Sequence, residues 1–193
     1  MISKCLLLLI TACFSLSASA FELFGKGAYS KYFYDESTFE ESISGNTGIA
    51  FSLFSGVRLE GRYTYIQKLE NRIDVNINGV AATLSNRTTK MVIYSVNLDI
   101  ELAGSRSAFK PFISLGVGAL ENRSSFRVID PIVQDFPEIR RQRLAGDLGF
   151  GFRWQLGRYM FLEFEGMAYA TDIDQPKPII NSHLTAGLRI LVG

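Results

Sequence analysis

The chain has 193 residues, a formal net charge of +1 at pH 7, two cysteines and one histidine. Nucleic-acid binding would need a clear excess of basic residues, so that class of partner is excluded. No apolar run approaches the ~18 residues of a membrane-spanning helix, so a helical membrane protein is excluded too.

The first twenty residues predict a secretory signal peptide. Lys4 supplies a positive start, Cys5–Ile10 is apolar, and Ala18–Ala20 is a small-x-small cleavage site. This apolar stretch is too short to cross a bilayer as a helix. We expect cleavage after Ala20, which leaves residues 21–193 as one domain. A lipoprotein signal is the alternative, because Ile10–Cys13 has the form of a lipobox.

The composition of the expected mature chain excludes several kinds of site. Removal of residues 1–20 takes away Lys4 and no acid, which leaves 19 basic and 19 acidic residues. Both cysteines, Cys5 and Cys13, lie in the leader, so disulfides, zinc–thiolate sites and cysteine nucleophiles are excluded. The single histidine, His183, excludes the usual histidine metal clusters.

Alternation of polar and apolar residues predicts β-strands along the rest of the chain. The clearest segments are Val57–Tyr65, Met91–Leu102, Leu144–Trp154, Arg158–Ala170 and His183–Val192. Less regular segments are Thr47–Phe54, Phe109–Ala119 and Leu23–Tyr34. The faces of Leu23–Tyr34, the first strand in the chain, cannot be assigned from the sequence. Eight strands, an even number, favour an up-and-down barrel.

Short and long connections alternate between these strands. The short ones are Phe54–Gly56, Ala103–Ser107 and Gln155–Gly157. The long polar ones are Asp35–Asn46, Glu70–Lys90, Glu121–Gln142 and Thr171–Asn181. This alternation is typical of outer-membrane barrels, which have short periplasmic turns and long outer loops.

The polarity of the two strand faces separates a membrane barrel from a soluble, lipocalin-like carrier. One set of faces mixes small residues and charges with the bulky Phe112, Tyr159 and Phe161, which suits a narrow interior. The opposite faces are nearly free of charge and carry aromatic residues, namely Tyr63, Tyr65, Tyr94 and Trp154. A lipocalin has the reverse arrangement. We therefore predict an all-β protein, a single eight-stranded antiparallel up-and-down transmembrane β-barrel over residues 21–193.

Three glycine-punctuated segments resemble strands of a known family. Lys110–Gly118, Gly149–Arg153 and Leu184–Arg189 are similar to the strands of small OmpA/OmpX-type outer-membrane barrels, within the porin-like β-barrel proteins. The resemblance extends over residues 21–193. It implies a place in the bacterial outer membrane, contact with outer-membrane lipid and lipopolysaccharide, and insertion by the barrel assembly machinery.

Charged residues on the predicted interior faces form an expected charge network of four bases and six acids. Its members are Arg58, Glu60, Arg62, Asp99, Glu101, Asp147, Arg153, Glu163, Glu165 and Arg189. Acids and bases alternate between neighbouring strands, which favours cross-strand pairing. Unpaired charges would be unfavourable in a narrow lumen, so we expect a connected network that plugs the barrel.

Two outer segments carry the remaining functional hypotheses. Ile73–Leu84, with Asn78–Gly79 at its centre, predicts a β-hairpin that prolongs two strands beyond the membrane. Five basic residues on the third outer loop and its rim are candidate lipopolysaccharide contacts, because arginine binds phosphate in a bidentate manner. They are Arg123, Arg127, Arg140, Arg141 and Arg143. An ordinary solvated loop is the alternative, since acids lie nearby.

The sequence favours a non-enzymatic barrel that serves as an envelope component or binds a surface ligand through its outer loops. A small porin-like channel is the alternative, and a lipid A-modifying enzyme or a lipocalin-like carrier is less favoured. Adjacent strand residues point to opposite faces, so Ser182 and His183 cannot form a catalytic dyad. We predict no catalytic residue, no cofactor and no metal site.

Overall fold

The computed structural model describes the backbone of residues 21–33, 39–77, 80–104, 107–130, 134–171 and 179–192. Side chains are described for residues 21–31, 39–70, 87–104, 107–125, 141–170 and 180–192. The predicted leader, residues 1–20, lies outside the described residues. Within the described part, no helix is long and apolar enough to cross a membrane.

Eight strands form one closed antiparallel barrel in which each strand pairs with its neighbours in sequence, and the last pairs with the first. The strands are β1 (Phe21–Phe33), β2 (Phe39–Phe54), β3 (Val57–Ile77), β4 (Val80–Glu101), β5 (Phe109–Asp130), β6 (Gln134–Gln155), β7 (Met160–Thr171) and β8 (Ile179–Val192). The predicted fold class is confirmed.

Tight turns join the strands at one end of the barrel. Gly56, between β2 and β3, has φ of +80°, a left-handed conformation that glycine adopts without a steric penalty. The turn from β6 to β7 is closed by the backbone N–H of Leu156, which donates to the carbonyl oxygen of Met160 at 2.9 Å. These turns lie where the sequence predicts short periplasmic connections.

Strands β2 to β6 are much longer than predicted, and β2 has 16 residues where the sequence predicts a strand only over Thr47–Phe54. Strands β3 to β6 contain 21 or 22 residues each, whereas β1, β7 and β8 contain 12 to 14. A tilted strand crosses a bilayer in about 9–11 residues, so the four long strands continue far above it. Over 70–90 the described residues are paired strands that include the arms of the predicted hairpin. The expectation of long connections over 39–46 and 121–142 is wrong for the described residues, which are paired strands as well. Residues 121–142 show no regular alternation of polar and apolar residues, so no strand is predicted there.

The predicted outer hairpin has the expected strand pairing. Ile77 pairs with Val80, Val75 with Ala82, and Ile73 with Leu84. The turn at Asn78–Gly79 lies outside the described residues.

The two faces of the barrel wall have opposite polarity. On β4 the outward Val96 and Ile100 are 55% and 36% exposed, whereas Asn97 and Asp99 between them are fully buried inside. Large apolar residues are exposed around the whole outer wall, including Phe51, Leu98, Leu115, Leu148, Phe150, Trp154, Leu184 and Leu188. An apolar outside around a charged inside is the polarity of a membrane barrel and the reverse of a soluble one.

Candidate functional site in the barrel interior

The structure places all ten residues of the predicted charge network inside the barrel. They lie on five strands, β3, β4, β6, β7 and β8, and each makes a polar contact with another interior residue. Alternation along each strand explains this placement, because every second residue of a barrel strand faces the lumen.

Three further charged residues belong to the same interior and were missed from the sequence. Glu22 and Lys26 lie on β1, and Lys110 lies at the start of β5. They add two bases and one acid, so the interior holds six bases and seven acids. The aromatic residues of β1 occur on both faces of the strand, so the sequence did not show which face is directed into the lumen. The four-residue spacing of Glu22 and Lys26, which puts both on one face, was the available signal.

Glu163 is one centre of this network and accepts hydrogen bonds from three cations. Its Oε2 accepts hydrogen bonds from Arg153 Nε at 2.8 Å and Arg189 Nε at 2.6 Å. Its Oε1 accepts from Lys26 Nζ at 2.5 Å. Glu163 and Arg189 are fully buried, so these charge-assisted bonds join β1, β6, β7 and β8 away from solvent.

A second centre surrounds Glu60 on β3. Glu60 Oε1 accepts from Arg189 Nη2 at 2.6 Å, and Glu60 Oε2 accepts from Arg62 Nη2 at 2.9 Å. Arg62 Nη1 also donates to Glu165 Oε1 at 3.2 Å, and Lys26 contacts the same carboxylate. The two centres are therefore parts of one continuous network.

The periplasmic end of the lumen is spanned by Arg58. Its Nε donates to Glu22 at 2.9 Å and its Nη1 donates to Glu101 at 2.6 Å. Above it, Arg153 pairs with Asp99. Carboxylates from β1 and β4 are thereby connected across the barrel.

Aromatic rings fill the space beside the guanidinium groups. The guanidinium of Arg153 lies 3.9 Å from the ring centroid of Phe112, and that of Arg189 lies 4.6 Å from Phe24, which are cation–π distances. Phe161 is also buried in the interior. The expected interior position of Tyr159 is wrong, since this residue belongs to the turn before β7 and is 46% exposed.

Inward glycines make room for these side chains. A Cβ added at Gly116 would lie 2.3 Å from Asn97 Nδ2 and 2.5 Å from Asp147 Oδ1, two groups that contact each other. A Cβ at Gly149 would lie 2.7 Å from Glu165 Oε1. The glycine punctuation of β5 and β6 thus has a steric cause in the filled lumen.

An apolar layer lies in the lumen between the charge network and the extracellular end of the barrel. This layer was not predicted from the sequence. Its members are Ile66, Met91, Ile93, Leu120, Ala145, Met167 and Tyr169. We call this set the interior apolar layer. The lumen is therefore occupied first by paired charges and then by packed apolar side chains.

His183 lies inside the barrel next to the interior apolar layer. Its ring stacks on Tyr169 with centroids 4.9 Å apart, and its Nε2 lies 3.2 Å from the Tyr169 hydroxyl. Ser182 is exposed on the opposite face of β8. This arrangement gives His183 a partner in packing and places the Ser182 hydroxyl away from it.

The five candidate lipopolysaccharide contacts lie on β5 and β6, not on a loop, and they do not share one face. Arg123 is exposed, with Nε 2.6 Å from Glu121 Oε1. Arg141 and Arg143 follow the same alternation on β6 as the inward Ala145. The side chains of Arg127 and Arg140 lie outside the described residues. The single cluster expected from the sequence is therefore divided between the two sides of the sheet.

Glu70 lies on β3 beyond the part that crosses the membrane. Burial raises the pKa of its carboxyl above the usual value. Arg87, whose Nη1 is 3.5 Å from Glu70 Oε2, opposes this shift, and the nearby Glu40 adds to it. Partial burial above the membrane thus leaves this acid imperfectly compensated.

These observations define the class of protein as a transmembrane β-barrel of the bacterial outer-membrane type. The apolar wall matches the lipid, and the closed sheet leaves no unpaired edge within the membrane. The predicted place in the outer membrane agrees with both features.

The chain is similar in fold to solved β-barrel structures. Neisserial surface protein A has a TM-score of 0.54 at 12% identity, over 88% of this chain and 96% of that chain. The N-terminal β-barrel domain of Pseudomonas aeruginosa OprF has a TM-score of 0.48 at 13% identity, over 89% and 98%. Ail, the attachment invasion locus protein of Yersinia pestis, has 0.47 at 10%, over 89% and 97%.

No protein-family model and no curated protein sequence matches the chain. Neisserial surface protein A, at a TM-score of 0.54, shares the fold of this chain. At that level the predicted resemblance to small outer-membrane barrels is confirmed.

Proposed function

We propose that this protein is a non-enzymatic outer-membrane barrel with a closed lumen, which acts at the cell surface through the strands that extend above the membrane. The observation that carries the proposal is the filled interior. Arg153, Arg189, Glu60 and Glu163 are at most 1% exposed, although they lie at the centre of a barrel.

Two successive barriers support closure rather than conduction. An ion that entered from the periplasm would have to separate paired charges of the network. The separated charges would then be buried without partners, which is strongly unfavourable. An ion that entered from outside would meet the interior apolar layer, which excludes water as hydrophobic constrictions in channels do. A porin-like role is therefore the less favoured candidate.

Planar-bilayer recording tests the closed lumen. The refolded protein is expected to give no stable conductance steps. The matched variant replaces Arg153 and Glu163 together by alanine, which removes both members of one buried pair and opens space in the network. Stable steps from the unmodified protein would overturn the proposal, whether or not the double variant changes their size.

The long strands support a role at the surface. Strand β2 leaves β3 at the Glu40–Glu70 pair, and β7 leaves β6 at the Ala145–Thr171 pair. Among the described residues, β3 and β6 continue beyond these points with one edge that no strand pairs. Such an edge suits the addition of an extended segment from a surface partner.

Shortened variants test this surface role. Residues 71–86 and 124–139 are each replaced by an Asn-Gly turn, which joins the paired residues Glu70 with Arg87 and Arg123 with Arg140. Heat-modifiable mobility on gels serves as the control for folding. We expect the shortened barrel to fold and to lose adherence and cell-to-cell aggregation when compared with the full-length barrel. Equal adherence of the two proteins would refute a role for the protruding strands.

Lipopolysaccharide is the proposed lipid partner at the outer rim. Lys90 pairs in register with Arg123, and Arg123 pairs with Arg140, so three neighbouring strands carry a base at one level. Lys90 is ten residues from Ile100 on the periplasmic side, roughly 33 Å along the strand or about 25 Å after tilting. This level matches the outer surface of the hydrocarbon, where lipid phosphates lie.

A further inference from the structure

The outer wall of the barrel has a groove where Gly61 faces the lipid. A Cβ added at Gly61 would meet nothing within 4 Å, so this position is open on the outside. The groove has a volume of about 800 Å³ and extends over β1 to β5. A barrel wall is convex, and a missing side chain in its middle leaves a depression between neighbouring strands.

The walls of the groove are apolar and aromatic. Ile49 and Val96 flank Gly61 in register on the adjacent strands. Tyr63 and Tyr94 form the side towards the outer surface, with ring centroids 5.4 Å apart in an edge-to-face arrangement. In the membrane these residues contact hydrocarbon, so the chemistry of the groove fits an acyl chain.

Lys90 and Arg123, which we call the basic row, lie towards the outer surface from the groove on two of the same strands. Lys90 is four residues from Tyr94 on β4, and Arg123 is six residues from Val117 on β5. These spacings are roughly 13 and 20 Å along the strands. A ligand that fits both features therefore has an anionic group at the level of the rim and an apolar chain that descends into the membrane.

We propose that the Gly61 groove holds one acyl chain of lipid A while the basic row at Lys90 and Arg123 contacts a phosphate of the same molecule. This inference rests on the lipopolysaccharide contact proposed above and adds the site for its chain. Lipid A carries phosphate and acyl chains in one molecule and lies in the outer leaflet, where the basic row is found. Glu121 pairs with Arg123, so the phosphate must compete with this carboxylate for the guanidinium group.

Native mass spectrometry of the full-length protein in detergent tests the site, with hexa-acylated lipid A as the probe and dioleoylphosphatidylglycerol as the comparison lipid. Gly61→Leu places a leucine side chain in the groove from a position where an added Cβ meets nothing within 4 Å. Ala186→Leu places the same side chain on the exposed wall of β8 and is the control. A third variant, Lys90→Gln with Arg123→Gln, removes the charges of the rim.

The expected result is one retained lipid A per barrel, reduced about fivefold by Gly61→Leu and unchanged by Ala186→Leu, because leucine displaces a few buried methylene groups. If only the rim variant loses lipid A, the phosphate contact is supported and binding of the chain in the groove is refuted. Loss in Gly61→Leu alone would support the groove and refute the rim contact.

Two further outcomes would overturn the inference. Equal or stronger retention of phosphatidylglycerol would show that the groove has no preference for lipid A. A dimer of the unmodified protein that Gly61→Leu dissociates would assign the groove to a second copy of the chain. Neither outcome affects the closed lumen, which the conductance measurement tests separately.

Discussion

The lower and upper parts of the barrel interior are filled by different chemistry. The lower part holds thirteen charged residues in a network centred on Glu163 and Glu60. The upper part is the interior apolar layer, which resembles the core of a soluble protein. The comparison shows that a barrel of eight strands is too narrow for a water-filled lumen and can be filled with either kind of side chain. The two kinds differ in how they respond when one residue is removed.

The largest effect is expected from a change in the charge network. Glu163→Leu removes the buried carboxylate that Lys26, Arg153 and Arg189 share. It should therefore lower the free energy of unfolding by about 3 to 5 kcal/mol. Urea unfolding in lipid vesicles, followed by the fluorescence of the single tryptophan, Trp154, measures this change.

Glu41→Gln is the matched control, because Glu41 pairs with Lys31 at 3.7 Å in a partly exposed position. Exposed pairs contribute less than about 1 kcal/mol. Similar losses from Glu163→Leu and Glu41→Gln would show that the network adds nothing through its burial.

A smaller effect is expected in the interior apolar layer. Ile93→Ala removes packed methylene groups from a residue that is 2% exposed, so it should cost about 2 to 4 kcal/mol. Val96→Ala on the outer face of the same strand should cost less than about 1 kcal/mol, since lipid fills the vacated space. A larger loss at Val96 than at Ile93 would contradict the assignment of the two faces.

The boundary between the two parts should be sensitive to added volume. Gly116→Ala places a methyl group against Asn97 and Asp147 and is expected to cost about 1 to 3 kcal/mol. Gly61→Ala adds the same methyl group to open space on the outer wall and should be nearly neutral. Unfolding midpoints of the two variants give the comparison, and equal midpoints would show that the lumen is not tightly filled.

The smallest effect is expected above the membrane, at Glu70. Its pKa is raised in the folded state, so the folded protein holds this proton more tightly than the unfolded chain does. The ionised carboxyl therefore weakens folding above its folded pKa, and the penalty disappears as the pH falls below its unfolded pKa. Glu70→Gln should gain a few tenths of a kcal/mol at neutral pH, discounted for exposure, and nothing in acid. A loss of stability at neutral pH would mean that its pairing with Arg87 outweighs the cost of burial.

The sequence predicted strands best where the two faces of a strand differ. Glu60 and Glu163 could be placed inside because each follows a clean alternation of period two. Alternation disappears at Val92–Tyr94, where Ile93 is apolar inside and its neighbours are apolar outside, so the interior apolar layer was missed. Residues 134–143 show no regular alternation of polar and apolar residues, so the outer half of β6 was missed as well.

The contacts within the site could not be predicted from alternation. Alternation gives the face of a residue but not its height in the barrel, which depends on the register between strands. The sharing of Glu163 among three cations therefore required the structure.

The access of water to the lumen shows whether the charge network closes the barrel. Cys5 and Cys13 are replaced by serine, and a single cysteine is introduced either at Ser114, which is fully buried in the lumen, or at Ala108, which is exposed in the periplasmic turn. A charged methanethiosulfonate reagent is then added to the folded protein. We expect rapid labelling at position 108 and labelling at least a hundredfold slower at position 114, because the charge network excludes water. Comparable rates at the two positions would contradict it, because they would require a continuous water path through the charge network.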